Sequence, residues 1–385
     1  MKYVGLDQVA DATAPHLFSG DPGARGYRVL MTLDAVGGVW RYAMELARAL
    51  RPHNTRITFL GFGPPPSTAK VAEAERLGRL IWSDQPLDWM VCDELALSRV
   101  PTEIERIAAE EGADLLHLNM PTQAADLSTA IPVVAVSHSC PITWWRAVKN
   151  EPLPESWHWL EDMNRRGLLR ADAVIAPSGS HAQSLADCYG PVPGLSIIHN
   201  GLSNFMDGAE KDPVIFAAAR WWDEAKNARL LDAAAANIDW PVVMAGAGEG
   251  PNGQSVIIEN ACHLDEVPHA DLMRQLGRAS IVVSPSLYEP FGLAALEGAR
   301  SAAALVLADI PTYRELWNDS AVFFDPREVN SLENALQRVI EDPDLREELG
   351  QRALARSRRY TPDIQASNLV ELYDTLSGKT VEMAV

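Results

Sequence analysis

Short apolar runs alternate with amphipathic stretches along most of the chain, and most of the runs end in a polar or glycine-containing turn. In the first half, strands are predicted at Tyr27–Val36, Arg56–Phe62, Asp114–Asn119, Pro132–Val136, Ala173–Ala176 and Leu195–Ile198. After the turn at Gly37-Gly38, residues 39–50 carry apolar side chains at helical spacing. Strands that alternate with helices in this way are typical of a parallel sheet built from βαβ units.

The same pattern starts again after a polar break at residues 203–212. Further strands are predicted at Val214–Ala219, Pro241–Ala245, Ser280–Ser284 and Ala304–Ala308, with helices from about Asn227 and about Gly292. The predicted fold class is therefore α/β, with two doubly wound Rossmann-like domains that face each other across a cleft. Ligands of such sheets bind beyond the carboxyl ends of the strands, so the cleft is the expected site.

The expected domains are an N-terminal Rossmann-like domain at residues 1–205 and a second Rossmann-like domain at residues 206–365. Residues 1–26, rich in Gly, Pro, Asp and Ala, are predicted to be a loose leader. Residues 366–385 are predicted to form a C-terminal helix that crosses back to the N-terminal domain.

The chain has 385 residues, with 33 Lys and Arg against 52 Asp and Glu, and a formal net charge of −19. Such a field repels nucleic acids and anionic lipids, so we expect no nucleic-acid partner, and membrane contact is not indicated. The four cysteines lie far apart, and aspartates interrupt the only early apolar stretch. We expect reduced thiols, no signal peptide, no transmembrane segment and a cytoplasmic location, and the oligomeric state stays open.

The segment at residues 284–297 carries the most chemical information. It follows a predicted strand and opens a helix at Gly292, whose first-turn amides attract anions. Glu289 lies in the loop before this point, and Glu297 lies more than one turn into the helix. A diphosphate at the helix start would have one carboxylate on each side. Carboxylates accept hydrogen bonds from paired hydroxyls, so the geometry suits a sugar, a diphosphate and a ribose in a row.

Two cations are candidates for the opposite side of the same ligand. Arg220 ends a predicted strand and Lys226 precedes the next helix, so both are predicted to point into the cleft. Fixed cations lower the barrier for loss of a diphosphate without a metal ion. The alternative is a pair of ordinary surface cations on a loop.

This segment closely resembles the Glu-x7-Glu signature of retaining glycosyltransferases of family 4, which have the two-domain GT-B fold. The match is carried by Glu289, Phe291, Gly292 and Glu297, and the resemblance is strongest from about residue 216 to 326. Other matching elements, in the order of the family, are Gly37-Gly38, His138, Asn200-Gly201, Arg220 with Lys226, and Gly246-Ala247-Gly248. Positions 302 and 304 hold alanine where the family shows glycine and proline.

The resemblance implies that the domain at residues 1–205 lies on the acceptor side and that the domain at residues 206–365 binds the nucleotide-sugar. It also implies a role for each matching position. Glu297 would bind the ribose hydroxyls, and Glu289 would bind the transferred sugar and stabilise charge near its anomeric carbon. The backbone at Pro290, Phe291, Gly292 and Leu293 would hold the sugar and the distal phosphate. His138 would face the transferred sugar, although a hydrogen-bonded loop histidine is the alternative. Gly37 and Gly38 would let the backbone approach the donor phosphate and the acceptor, although a simple tight turn is the alternative.

The resemblance therefore implies transfer of a sugar, with retention, from a nucleoside diphosphate to an acceptor hydroxyl of a glycan, polysaccharide or glycoconjugate. A UDP-sugar is favoured over a GDP-sugar by family frequency, and no metal or other cofactor is expected. The predicted catalytic residues are Glu289, His138, Arg220 and Lys226. A nucleotide-sugar epimerase of the same fold and a catalytically silent scaffold are the alternatives. Tryptophans 144, 145, 157 and 159 would either cover the acceptor or pack structurally.

Overall fold

The computed structural model describes residues 26–149, 151–203 and 210–378, and two parallel sheets dominate it. The first sheet contains β1 (Arg28–Asp34), β2 (Arg56–Phe62), β3 (Arg79–Trp82), β4 (Leu115–Leu118), β5 (Val133–Val136), β6 (Ala173–Ala176) and β7 (Leu195–Ile197). The second contains β8 (Asp212–Ala218), β9 (Val242–Ala245), β10 (Cys262–Leu264), β11 (Ala279–Ser284), β12 (Ala304–Ala308) and β13 (Ala321–Phe324). The predicted fold class, two doubly wound α/β domains, is confirmed.

Helices cover both faces of each sheet, which explains why central strands such as β11 and β12 are buried along their whole length. The helices of the first half are α1 (Gly38–Leu50), α2 (Thr68–Glu75), α3 (Val100–Glu111), α4 (Pro141–Val148), α5 (His158–Arg170) and α6 (Gly179–Tyr189). Those of the second half are α7 (Ala228–Ala235), α8 (His269–Arg278), α9 (Leu293–Arg300), α10 (Pro311–Trp317), α11 (Val329–Glu341), α12 (Pro343–Ser357) and α13 (Pro362–Leu376).

The order of the strands fixes where a ligand can bind. The first sheet runs β3-β2-β1-β4-β5-β6-β7, and the second runs β10-β9-β8-β11-β12-β13. All strands are parallel, but the side of the sheet to which successive strands are added changes between β1 and β4, and again between β8 and β11. The loops that follow these four strands therefore diverge and open a crevice, which is the usual ligand position in doubly wound sheets.

Helix α13 leaves the second half of the chain and packs against the first. Its Ala366, Leu369 and Tyr373 are fully buried in the same apolar cluster as Trp40 of α1. Within the cluster, the Tyr373 hydroxyl lies 2.7 Å from Nδ1 of the buried His117 on β4. The domain limits assigned from the sequence stay predictions. The 205/206 boundary and residues 1–25 of the predicted leader lie outside the described residues.

The turn after α9 shows the physical meaning of one departure from the family pattern. Ala302, which stands where the family has glycine, has a φ of 56°, in the left-handed region. A side chain with a Cβ is strained there by roughly 1 kcal/mol, whereas glycine is not. The turn therefore keeps the glycine conformation although the residue is alanine.

Replacing Ala302 with glycine should stabilise the protein by about 0.5–1 kcal/mol, because relief of strain exceeds the added entropy of the unfolded chain. Thermal or guanidinium unfolding measures this difference. Ala233→Gly on the exposed face of α7 is the control, and it should cost about 1 kcal/mol. Equal destabilisation by both changes would contradict a strained turn at Ala302.

Candidate active site

A cleft of about 1900 Å³ lies between the carboxyl edges of the two sheets. Loops from both switch points line it, among them the turn after β1, the turn after β4, the segment after β8 and the loop after β11. All eleven site residues predicted from the sequence are among the lining residues: Gly37, Gly38, His138, Arg220, Lys226, Glu289, Pro290, Phe291, Gly292, Leu293 and Glu297. Residues that are up to 260 positions apart in the sequence thus share one cavity.

Helix α9 begins at the bottom of this cleft without a side-chain cap. Gly292 precedes its first turn with a φ of 89°, and no side chain accepts the first amides. A Cβ on Gly292 would lie 2.6 Å from Cε1 of the buried Tyr313. Only glycine therefore fits here without a shift of Tyr313, and the exposed amides of the helix start provide an anion site.

The acidic loop before α9 is anchored on both sides. Nζ of Lys226 lies 2.6 Å from Oε2 of Glu289, and both side chains are largely buried. On the other side, the Ser178 hydroxyl of the first half donates to the carbonyl of Pro290 at 2.6 Å. The loop is therefore held by both halves of the molecule. The side chain of Phe291 points into the core, where it contacts Tyr360, so only its backbone is available to a ligand.

Arg220 reaches across the cleft to the glycine turn. A Cβ on Gly37 would lie 2.9 Å from Nη1 of Arg220, so the absence of a side chain at position 37 allows this close approach. Arg220 also contacts Asp223 at 3.4 Å and stacks over the ring of Trp222. The guanidinium is thus oriented at the edge of the cleft and is not turned away from it.

The glycine turn itself is shaped by Asp34 at the end of β1. Oδ1 of Asp34 accepts hydrogen bonds from the amides of Val36 and Gly37. Burial raises the pKa of Asp34, while these amides and the charges of Arg220 and Lys70 oppose the shift. Sequence reasoning missed Asp34, although a carboxylate at the end of the first strand is a recognisable signal.

These groups are neighbours in a ring around the start of α9, in which the proximity at the glycines is that of a Cβ position and not of an existing atom. Arg220 lies against Gly37, and a Cβ on Gly38 would lie 3.4 Å from Cδ1 of Leu293 at the helix start. Leu293 follows Gly292 in the chain. A Cβ on Gly292 would lie 3.3 Å from Cγ of Glu289.

Glu289 is in turn bound to Lys226. The amide of Lys226 donates to the carbonyl of Asp223, whose carboxylate contacts Arg220 and completes the ring. Two cations and an uncapped helix start thus surround one part of the cleft.

His138 lies at the carboxyl end of β5 on the opposite wall. Its Nε2 is 2.8 Å from Oδ1 of Asn119, and the edge of the Tyr42 ring packs against it. The Asn119 amide nitrogen donates to the carbonyl of Thr32, so Oδ1 must accept the proton of Nε2. Nδ1 then carries a free lone pair.

The protonation state of His138 agrees with this tautomer. Burial, with smaller contributions from His117 and His181, lowers the pKa of His138 to about 3, so the ring is neutral at physiological pH. A neutral imidazole accepts a hydrogen bond from a hydroxyl but does not supply positive charge. Asn119, which sets this orientation, was not predicted from the sequence.

Glu297 occupies the far side of the helix start and is buried. Desolvation raises the pKa of its carboxyl group to about 7, the charge of Arg41 opposes this shift, and Glu45 adds to it. A carboxylate that is buried beside a second carboxylate is held in an unfavourable state in the free protein. Such a position is typical of a group that serves a ligand and not stability.

Glu297→Gln should therefore raise the melting temperature near pH 8. The folded protein holds this proton more tightly than the unfolded chain, so the wild type loses stability as the pH rises from about 4.5 to about 7. The full loss is on the order of 3 kcal/mol. Differential scanning fluorimetry across pH should show the advantage of the variant shrinking and vanishing near pH 4. An advantage that is independent of pH would contradict the assignment.

Three of the four predicted tryptophans, Trp144, Trp145 and Trp157, line the cleft, whereas Trp159 packs against the apolar core of the first half. Trp144 donates from Nε1 to Asp223 at 2.9 Å, which joins α4 to the segment after β8. His117 lies between two tyrosine hydroxyls, and His199 lies beside Glu315, so both are held by structural contacts. No helix within the described ranges is long and apolar enough to cross a membrane.

Two doubly wound sheets that face each other across a cleft are the arrangement of the GT-B fold, and the cations and carboxylates around the helix start match the site expected of a glycosyltransferase. The model of Glycosyltransferase Family 4 matches residues 36–203, and that of Glycosyl transferases group 1 matches residues 205–356. The two together span most of the chain. The protein belongs to glycosyltransferase family 4, as the resemblance predicted.

The chain is similar in sequence or in fold to several known proteins. Glycogen synthase of Mycobacterium tuberculosis is 23% identical over 382 residues, which cover 85% of this chain and 87% of that protein. Sucrose-phosphate synthase from Thermosynechococcus elongatus superposes with a TM-score of 0.77 at 16% identity, over 92% of this chain and all of the other. Anabaena HepE in complex with UDP-glucose superposes with a TM-score of 0.71 at 16% identity, over 91% of this chain and all of the other.

Proposed function

We propose that this glycosyltransferase transfers a sugar from a nucleoside diphosphate to an acceptor hydroxyl of a glycan, polysaccharide or glycoconjugate with retention, and that it needs no metal ion. The observation that carries the proposal is the ring of neighbouring groups at the start of α9, which runs through Arg220, Gly37-Gly38, Leu293, Glu289 and Lys226. A doubly charged diphosphate at the centre of this ring would meet two cations and the uncapped amides of α9.

The chemical step needs stabilisation of the leaving diphosphate. Negative charge builds up on this group as the glycosidic bond breaks, and fixed charges in a partly buried site stabilise it without reorganisation. Arg220 and Lys226 supply that charge in this proposal. Because Glu289 already holds Lys226 in place, little motion is needed when the donor binds.

The sugar would lie between Glu289 and His138. The Glu289 carboxylate accepts sugar hydroxyls and stabilises positive charge near the anomeric carbon. Nδ1 of neutral His138 accepts a hydrogen bond from a further sugar hydroxyl, which fits the low pKa of His138. Glu297 would accept the two ribose hydroxyls at the other end of the donor.

Retention follows from the family resemblance and needs no protein base. The acceptor oxygen forms its bond to the anomeric carbon on the face from which the diphosphate departs. The bond from the anomeric carbon to the phosphate oxygen breaks, and that oxygen takes the proton of the acceptor hydroxyl. We propose a UDP-sugar as the donor in preference to a GDP-sugar, and the UDP-glucose complex of the similarly folded HepE supports this choice. A cytoplasmic location is part of the proposal.

Incubation with UDP-, GDP- and ADP-sugars, with and without simple sugar acceptors, tests this function. We expect slow release of one nucleoside diphosphate without acceptor and faster release with acceptor, in the presence of EDTA. NMR of the product should show the anomeric configuration of the donor. An inverted product would contradict retention, and conversion of the donor into an isomeric nucleotide-sugar without an acceptor would favour an epimerase.

A further inference from the structure

One buried carboxylate in the cleft is not used by the donor in the function proposed above. Asp88 begins a short 3₁₀ turn, lines the cleft and is 4% exposed. Its Oδ2 accepts a hydrogen bond from the Thr122 hydroxyl at 2.8 Å. Its Oδ1 is buried and no donor within the described part of the chain reaches it in good hydrogen-bond geometry, although the neighbouring Trp89 amide also favours the ionised carboxylate. A buried carboxylate oxygen without a donor costs free energy, so its presence in a cleft points to a ligand that supplies the donor.

The position of Asp88 places it on the acceptor side of the reaction centre. Asn119 and Thr122 lie three residues apart in the turn after β4. Asn119 holds His138 and Thr122 holds Asp88, so both side chains are fixed by the same short segment. Asp34, which shapes the glycine turn, is close enough to raise the pKa of Asp88 through its charge. Asp88 is therefore held by the same turn as His138 and lies near Asp34 of the glycine turn.

Trp89 forms the next part of this wall. Its ring stacks on Trp222 at a centroid distance of 6.3 Å, and Trp222 in turn lies under Arg220. Trp89 and Trp222 come from opposite halves of the chain, and both line the cleft. An indole beside a hydroxyl-binding carboxylate is a good surface for a sugar ring, which has an apolar face and a polar rim.

We infer that Asp88 and Trp89 form the acceptor subsite, in which the Asp88 carboxylate accepts a hydrogen bond from a neutral, polyhydroxylated acceptor whose ring lies against Trp89. The inference rests on the proposed function and names its acceptor class. The hydroxyl bound by Asp88 is a second hydroxyl of the acceptor and not the reacting one, whose proton goes to the leaving phosphate.

Charge separates neutral from anionic acceptors at this position. Burial raises the pKa of Asp88 to about 6, and the nearby Asp34 adds to the shift. Asp88 is still ionised at neutral pH, so its carboxylate accepts hydrogen bonds from hydroxyls. Two neighbouring carboxylates repel a phosphate or carboxylate group on the acceptor.

The test compares two rates in one protein: transfer to an acceptor and hydrolysis of the donor by water. The probes are methyl α-glucoside, methyl α-mannoside, maltose and myo-inositol, with glucose 6-phosphate as the anionic arm. Asp88→Asn should lower the ratio of transfer to hydrolysis about 10- to 100-fold, the usual effect of losing a hydrogen bond to a charged group. Asp84→Asn, an equal change at an exposed carboxylate outside the cleft, should leave both rates unchanged.

Trp89→Ala provides a second variant that does not depend on the stability of Asp88→Asn, and it should raise the KM for the neutral probe without a matching fall in donor hydrolysis. An unchanged ratio in Asp88→Asn would overturn the inference. So would a wild type that hydrolyses donor but uses only the anionic probe or none. A wild type that turns over no nucleotide-sugar would instead remove the proposed function itself, which distinguishes the two failures.

Discussion

Lys226→Ala should lower kcat for sugar transfer on the order of 1000-fold. The change removes a cation from the proposed diphosphate position and also releases Glu289, which Lys226 holds at 2.6 Å. A part-buried carboxylate without its partner would lose its fixed position, so the sugar site would be disturbed as well. Loss of one preorganised group at a developing charge typically costs 100- to 1000-fold, and here two are disturbed at once.

The measurement is the initial rate of nucleoside diphosphate release at saturating donor and acceptor. Lys149→Ala is the matched control, because Lys149 also pairs with a carboxylate of the segment after β8, Glu224, but lies outside the cleft lining. The control should retain most of the wild-type rate. A Lys226→Ala enzyme within about threefold of wild type would show that this lysine does not act on the leaving group.

Glu297→Ala should weaken donor binding about 100-fold. Two ribose hydroxyls donating to one buried carboxylate are worth roughly 3 kcal/mol, since hydrogen bonds to charged groups contribute about 1.5–3 kcal/mol each and burial offsets part of this. Calorimetric titration with the preferred nucleoside diphosphate measures the change directly. Because the pKa of Glu297 in the free protein is about 7, the affinity of the wild type should also fall as the pH drops below 7.

The pH dependence makes this prediction specific. A protonated Glu297 keeps only one good acceptor oxygen, so binding weakens at low pH in the wild type but not in Glu297→Ala. Glu347→Ala, an exposed carboxylate on α12, is the control and should bind like the wild type. Equal affinities of Glu297→Ala and wild type would remove the ribose role.

The sequence was sufficient for the features that depend on local pattern. The apolar runs that became β1 and β11 are buried over nearly their whole length, and that of β8 is buried at its centre, so their ends, and the turns after them, were predictable. Glu289, Gly292 and Glu297 lie on one strand–loop–helix unit, which is why their relation to the helix start followed from spacing alone. Three short edge strands, β3, β10 and β13, were not predicted, because their partial burial leaves only a weak apolar signal. The fourth edge strand, β7, was predicted although it is equally short and only partly buried.

The second wall of the cleft depends on contacts between distant positions, which spacing does not reveal. Asn119 owes its orientation to the carbonyl of Thr32, 87 residues earlier. Asp88 is placed by Thr122, 34 residues later. An isolated Asp or Asn in a loop has many ordinary uses. The roles of these two residues appear only in the folded structure, where Asn119 contacts His138 and Asp88 contacts Thr122.

A crystal structure with the preferred nucleoside diphosphate bound tests the central claim most directly. The account predicts that the diphosphate lies at the start of α9, within hydrogen-bond distance of the amides near Gly292 and of Nζ of Lys226 or the guanidinium of Arg220. Glu297 should then contact the ribose hydroxyls. A diphosphate bound elsewhere in the cleft, with Lys226 still paired only to Glu289, would contradict it.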